Sequence, residues 1–362
     1  MLMANNSSDS ASYYGRYAYN AAKLPQQKRP APGANSALPW FNQKADRKLP
    51  WGNTRDIAPQ SYRTDYSPET LRKFEREPGR FGNLDFHQRI DHERYRHATA
   101  ALRTRIVLLI EAFGGAAFKI ITPFLVVAYP VVLLAFKSGT RADAFYETIP
   151  LLLSLTLGPF IVWQSAGILV KLFPNWLIKP DKGPKWEFNR RTGLVTVYHY
   201  DKKDTWGKTG KPEEETAPFY EFDAYLTNEV IYPGGTVHTL YLVNRYHPIV
   251  IPVGNLIGKT SHEECYALWD MLQNFMDTSR PLPDIPLWEE HRPNDPVTAE
   301  HDRQTQRPPR YWRDMDKETW KQKNEEMGLD VLRLTTPGRP DIMRKSWIYQ
   351  PRYKKRRAAT GG

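Results

Sequence analysis

Two uncharged runs set the strongest limit on what this chain can fold into. Residues 120–136, IITPFLVVAYPVVLLAF, carry no charge over seventeen positions, and residues 149–170, IPLLLSLTLGPFIVWQSAGILV, carry none over twenty-two. Seventeen helical residues rise about 25 Å against a hydrocarbon core of about 30 Å. The preceding Phe113–Phe118 segment lengthens the first run to a span of about 113–136. The second run has no polar stripe at helical spacing. Twelve of its twenty-two residues are Leu, Ile, Val or Phe, and each favours insertion by about 0.3–0.6 kcal/mol near a bilayer centre. That outweighs Gln164 and Pro159. Pro123 and Pro130 kink the first helix, which a membrane tolerates. A quarter of the 362 residues are charged, and no comparable apolar surface exists to cover two such helices in water. Residues 101–178 therefore read as a transmembrane helical hairpin, with Trp176 as an interfacial aromatic.

Basic residues near the ends orient the hairpin. Arg89, Arg94, Arg96, Arg103 and Arg105 precede it, and Lys171, Lys179, Lys182, Lys185, Arg190 and Arg191 follow it. The loop, read as Lys137–Thr148, holds only Lys137 and Arg141. Eleven against two places both termini in the cytoplasm. Glu111 and Lys119 read as interfacial charges at the entry of the first span. The opening residues hold no apolar stretch, so no secretory signal is expected.

Net charge is +11, and the excess lies in residues 1–105 and 280–362, among prolines. Scattered basic residues of this kind suit an anionic membrane surface better than a nucleic acid, so no nucleic-acid partner is expected. Both ends read as low-order, Pro-rich, basic arms, flexible or draped over a partner. Helices are expected at Ser67–Glu77, from about Phe86 into the first span, and at Lys317–Met327.

Residues 185–279 change period. WEFNRRTGLVTVYHY predicts a hairpin turning at Arg191-Thr192-Gly193. KKDTWGKTGKPEEETAP reads as a polar linker. FYEFDAYLT alternates, with Phe222, Ala224 and Leu226 on one face; VHTLYLVNRY and IVIPV continue as strands. Tight turns favour antiparallel pairing. TSHEECYALWDMLQNFMDTS then predicts an amphipathic helix, with a capping box from Thr260 or Ser261 to Glu263 or Glu264. Its apolar face is Cys265, Leu268, Trp269, Leu272, Phe275 and Met276. The expected fold class is thus an α+β membrane protein: a two-helix hairpin, then an antiparallel β-rich domain closed by one helix, pleckstrin-homology-like in element order, between Pro-rich ends.

Chemistry is weakly signalled. VGNLIGKT imitates a phosphate loop but has three residues between its glycines where four are needed; Lys259 reads as an exposed loop residue. HEECY places Tyr266 where a zinc motif needs its second His. His199, Asp201 and Asp204 near Glu213–Glu215 read as a polar hairpin loop rather than a cation site. The single cysteine, Cys265, excludes an internal disulfide and lies on the apolar helix face, as a buried thiol would. No catalytic, cofactor or metal residue is assigned and no enzyme activity is expected. Phe219, Tyr220, Tyr225, Tyr241 and Tyr246 are the candidate partner-binding aromatics, with core packing as the alternative.

Phe188-Asn189-Arg190-Arg191-Thr192-Gly193-Leu194-Val195, after a two-span hairpin, resembles a family of uncharacterised proteobacterial membrane proteins. Its members show F-D-R-x-T-G-x-V and a later strand ending in an aromatic after Arg, here Asn244-Arg245-Tyr246. The resemblance covers roughly residues 100–280 and departs at Asn189, where Asp is usual. Such proteins are often encoded beside type VI secretion genes. The resemblance implies a multi-pass bacterial inner-membrane protein, either an immunity or an accessory protein, with a secretion effector as partner. The expected role is a non-enzymatic, membrane-anchored interaction module with the bilayer and a protein as partners. The alternative is a pore-forming or membrane-depolarising protein that forms homo-oligomers through its hairpin.

Overall fold

The computed structural model describes residues 13–29, 45–77, 87–135, 140–200, 211–231, 235–336 and 338–348. Their elements run, in chain order, β1 (Gln27–Lys28), β2 (Ala45–Lys48), α1 (Gln60–Thr64), α2 (Pro68–Arg76), β3 (Arg89–Ile90), β4 (Arg94–Ala100), α3 (Leu102–Ala135), α4 (Arg141–Leu172), α5 (Pro174–Leu177), β5 (Pro180–Asn189), β6 (Leu194–His199), β7 (Glu213–Pro218), β8 (Phe222–Ile231), β9 (Gly235–Asn244), β10 (Val250–Ile251), α6 (His262–Met276), α7 (Pro296–Thr305), α8 (Lys317–Leu332) and β11 (Trp347–Ile348). The fold is α+β. The chain forms two compact units: Met1–Arg80, Arg89–His97 and Lys185–Gly362 in the larger, Phe81–Gln88 and Ala98–Pro184 in the smaller.

Among the described residues the larger unit holds three sheets, with strand orders β10-β9-β8-β2 and β3-β4-β5-β6-β7 and a short parallel pair β1-β11. The pairs β8–β9, β9–β10, β2–β8, β5–β6 and β6–β7 are all antiparallel. Strand alternation does what the sequence predicts: Phe222, Ala224 and Leu226 on β8 and Leu240 and Leu242 on β9 are buried together. Against them sits α6, started by Ser261, whose hydroxyl accepts the Glu264 N–H; Thr260 instead bridges to His238. The core is aromatic. Trp51 meets Trp269 at 4.7 Å and Phe219 at 5.0 Å between ring centroids, and Phe275 stacks on Trp288 at 5.1 Å.

The β5–β6 turn falls where expected, pairing Asn189 with Leu194. Gly193 takes φ +74°, and a Cβ there would overlap the carbonyl of Tyr17. Gly193→Ala is therefore expected to destabilise by about 2–5 kcal/mol, from the left-handed conformation and the displaced neighbouring segment. Limited proteolysis should show it first as faster cleavage at Arg16, since Gly15 N–H is bonded to the Arg191 carbonyl at 2.7 Å. Unchanged cleavage would show that the turn does not hold this segment.

Five expectations are corrected. The low-order arm over residues 1–100 does not describe residues 13–29, 45–77 and 87–100: Tyr19, Leu49, Trp51 and Ile57 are core residues. The LPW sequence at 49–51 supplies its Trp to the interior because that indole can donate to the Phe222 carbonyl at 3.1 Å while its rings pack. The other LPW, at 38–40, lies outside the described residues. The helix expected from Phe86 is instead β3 and β4, where Tyr95 and Ala98 are buried, and α3 begins at Leu102. Residues 280–348 also carry structure. They lack periodicity but bring Leu282, Ile285 and Trp288 into the core, and Arg292 fixes them by bonding the Asp302 carboxylate at 2.6 and 2.7 Å. Finally, part of the expected polar linker is β7, and α4 starts inside the expected loop, at Arg141. The helices at residues 67–77 and 317–327 are observed as α2 and α8. Ser67 caps α2, accepting the Thr70 N–H at 3.2 Å, and Asp316 caps α8 through Thr319.

Candidate functional site

In the smaller unit, α3 has 34 residues and α4 has 32, giving lengths of about 51 and 48 Å. Both are long and apolar enough to cross a membrane, and 0% and 11% of their most apolar stretches are buried. They run antiparallel. Gly114 approaches so closely that a Cβ would lie 2.9 Å from the Trp163 backbone nitrogen. Phe118 faces Phe160 at 5.1 Å, and the Tyr129 and Thr148 hydroxyls are hydrogen-bonded. Glu111 faces Gly167, and the Lys119 ammonium lies 5.1 Å from the Trp163 ring centre. Both charges therefore lie toward the partner helix rather than simply marking an edge.

The open end of the hairpin is closed by Thr104. Its buried hydroxyl accepts the Lys179 N–H at 2.7 Å and donates to the Lys179 carbonyl at 2.9 Å. Val170, Leu177 and Ile178 pack beneath it with Val107 and Leu108. Trp176 is exposed and covered on one face by Arg103, 3.5 Å from its ring centre.

The five candidate aromatics do not form one surface. Phe219 is 0% exposed and Tyr220 is buried; both are core. Tyr225 and Tyr241 are half-buried and directly opposite each other across β8–β9, where such pairs stabilise a sheet. Tyr246 is 38% exposed and its hydroxyl donates to the Lys28 carbonyl at 2.6 Å. Core packing thus accounts for two of the five.

The phosphate-loop mimic is a 3-10 turn, Val253–Leu256, and Lys259 pairs with Glu229 at 2.5 Å. Cys265 is buried, and burial pushes its thiol up to about 12, with Glu264 and Glu263 adding to the rise. It is a protonated core residue at neutral pH. His262 pairs with Glu263 at 3.0 Å and packs on Tyr266. His199 pairs with Glu215 at 3.3 Å, while Asp201 and Asp204 lie outside the described residues. Among the described residues, no three His, Cys, Asp or Glu side chains are placed to hold a metal.

Periodicity did not point to the most connected polar centre, which is Arg190. It is 0% exposed and pairs at 3.0 Å with Asp295, itself 1% exposed at the side chain. The same guanidinium donates to the carbonyls of Phe275, Asp277 and Arg280 at 2.5–2.9 Å. Asp295 in turn caps α7 through Thr298 and accepts the Tyr14 hydroxyl at 2.7 Å. Burial alone would raise the Asp295 carboxyl; Arg190, Thr298 and Tyr14 outweigh it and hold the carboxyl below its ordinary value. A second centre joins Arg245 to Asp223 at 2.6 Å and to Gln27 at 2.7 Å. The Asp-Pro start of α7 was a readable cap signal; nothing in sequence linked it to Arg190.

Two cavities of about 330 Å³ each share Asn274 and Arg280 as lining. One is further lined by Asp56, Asp284, Arg292 and His301. Enclosure there pushes the Asp56 carboxyl up, with Asp284 adding to it. The other is bounded by residues 19–22, 52–54 and the end of α6. These cavities can hold small polar molecules.

Neither a family model, a curated protein nor a solved structure matches the chain. The functional reading therefore rests on the chain's own geometry.

Proposed function

We propose that the protein is a two-span inner-membrane protein of bacteria whose larger unit is a non-enzymatic interaction module held at the membrane by α3 and α4. One observation carries this reading: two apolar helices of more than thirty residues present their side chains outward. Phe113, Ile120, Phe124, Val127, Leu151 and Ile161 are all exposed. Water does not tolerate a continuous surface of that kind, and a bilayer does. The Arg103–Trp176 stack suits an interfacial position. The run of strands β5–β10 closed by α6 supports a pleckstrin-homology-like reading of the module. Tyr225, Tyr241 and Tyr246 are the candidate aromatics left for a protein partner. The secretion setting, as immunity or accessory protein, rests on the Phe188–Val195 motif alone.

Both termini are proposed to be cytoplasmic. Arg190, being buried, drops out of the basic residues that orient the hairpin, which leaves ten against two. Reporters for cytoplasm and periplasm fused after Thr140 and after Gly362 test this. The expected result is an external loop and an internal C-terminus. An external C-terminus with an internal loop would overturn the orientation, and a loop and C-terminus on the same side would overturn the two-span reading.

A further inference from the structure

The cavity between the Tyr19–Ala22 segment, the Gly52–Thr54 loop and the end of α6 has a feature that the fold does not explain. Gln273 lines it and is 1% exposed. Its side-chain oxygen accepts the Gly52 N–H at 2.7 Å, while its Nε2 has no hydrogen-bond partner. A buried donor left unpaired costs about 1–3 kcal/mol. Such a cost persists where something else completes the site.

The remaining lining shows what that would be. Asp277 is held by Ala21 N–H, Ser279 N–H and the Ser279 hydroxyl, all on Oδ1, at 2.6–3.1 Å. Its Oδ2 is the remaining acceptor. Arg280 is exposed at the mouth and is steadied through one nitrogen, which donates to Thr54 at 2.8 Å and to Asn274 at 3.1 Å. The guanidinium keeps further N–H donors on its other nitrogens. The wall opposite is fixed, with Gly52 at φ +77° and Asn53 at φ +50°. Asn53 is tied to the Pro340 carbonyl at 3.1 Å. One carboxylate and one guanidinium, Asp277 and Arg280, balance each other, so the lining has no net charge to hold an ion of one sign. A bare anion is thus disfavoured. A molecule with a carboxylate on one end and an ammonium on the other is matched.

We propose that this cavity binds a free α-amino acid: its carboxylate on Arg280 and Gln273 Nε2, its ammonium on Asp277. A volume of about 330 Å³ lies within the range of small-ligand sites, about 300–1,000 Å³. The site is built entirely from the larger unit.

The test uses the full chain in detergent micelles. The twenty L-amino acids are titrated one at a time by calorimetry, together with the N-acetyl and the carboxamide form of any that binds, and inorganic phosphate. At least one free amino acid is expected to bind with Kd below about 1 mM. Blocking either its amine or its carboxylate should weaken it at least tenfold, and phosphate should not compete. Gln273→Met, similar in volume, and Arg280→Gln should each weaken binding at least tenfold. Should either variant fail to fold, the blocked ligands on the wild type still decide the matter. No binding by any amino acid, which would mean a cavity filled by water, overturns the proposal. So does equal binding of the N-acetyl form, or binding unchanged in both variants.

Discussion

Arg190→Met is expected to cost about 3–5 kcal/mol, because it leaves a buried carboxylate without its cation. The loss extends beyond one ion pair. Arg190 lies at the C-terminal end of α6, where the Asn274 and Phe275 carbonyls have no partner within the helix. Its guanidinium accepts that role, with N–O distances of 3.4 and 2.5 Å. Asp295 does the converse at the start of α7, accepting the Thr298 N–H at 3.1 Å. Each charge therefore sits at the helix end whose dipole favours it, and the pair ties two helix ends to Tyr14. Replacing both partners with apolar residues is often harmless for a buried pair. Here it is expected to remain destabilising, since the carbonyls of Phe275, Asp277 and Arg280 would all lose their donor.

The pH dependence gives the sign. In the wild type the Asp295 carboxyl is held below its ordinary value of 3.8. Its stabilisation is present above that value and is lost as pH falls through the lower folded value. In Arg190→Met the burial that opposes ionisation acts without Arg190, so the carboxyl moves up. A buried acid of raised pKa is tolerated when protonated and penalised as pH rises. The gap between variant and wild type should therefore narrow from pH 7 to pH 4. Urea unfolding in a fixed detergent, followed by Trp fluorescence, measures it. A gap that is constant or widens on acidification would show that the charge of Asp295 is not what the variant exposes.

The sequence made legible whatever has a period. The β5–β6 hairpin, strands β8 and β9, α6 and the two apolar helices follow from alternation, helical spacing or long uncharged runs. It failed wherever a segment contributes to the core without repeating. The tract 49–58 has no periodicity, yet Leu49, Trp51, Ile57 and Ala58 are buried. The polar side of α6 misled in the complementary way. Asp270, Gln273 and Asn274 mark a solvent face on a helical projection, but all three are buried. They accept the Arg55 and Gly52 N–H groups and donate to the Arg55 carbonyl, at 2.7–3.1 Å. Arg339 closes on Asp270 at 2.6 Å. A polar residue that hydrogen-bonds a covering loop looks the same in sequence as one that faces water. The candidate aromatics show the limit from the other side, since Phe219 and Tyr246 share a residue class and differ wholly in exposure.

Ile120→Arg combined with Leu157→Arg is expected to remove the protein from the membrane. The Phe118–Phe160 and Tyr129–Thr148 contacts fix an antiparallel register that puts Ile120 level with Leu157 to within a residue. Both side chains are exposed, so neither substitution disturbs packing between α3 and α4. Both lie near the midpoints of their helices, Ile120 in α3 and Leu157 in α4. An arginine there costs about 2.5–3.5 kcal/mol, and the lost Ile or Leu about 0.3–0.6 more. The pair amounts to about 6–8 kcal/mol, or more than four decades in partitioning. The wild type should stay in the membrane pellet through an alkaline carbonate wash and leave only with detergent. The double variant should be released or degraded. Phe74→Arg, at an exposed site of the larger unit, should leave retention unchanged. The alternative is that α3 and α4 are covered by other copies of the chain in a water-soluble assembly. Carbonate would then release the wild type itself, and arginines at these positions would break the assembly rather than change the compartment. The wild-type wash thus separates the two cases before any variant is made, because only a bilayer holds an apolar hairpin against a treatment that strips every protein bound by surface charge.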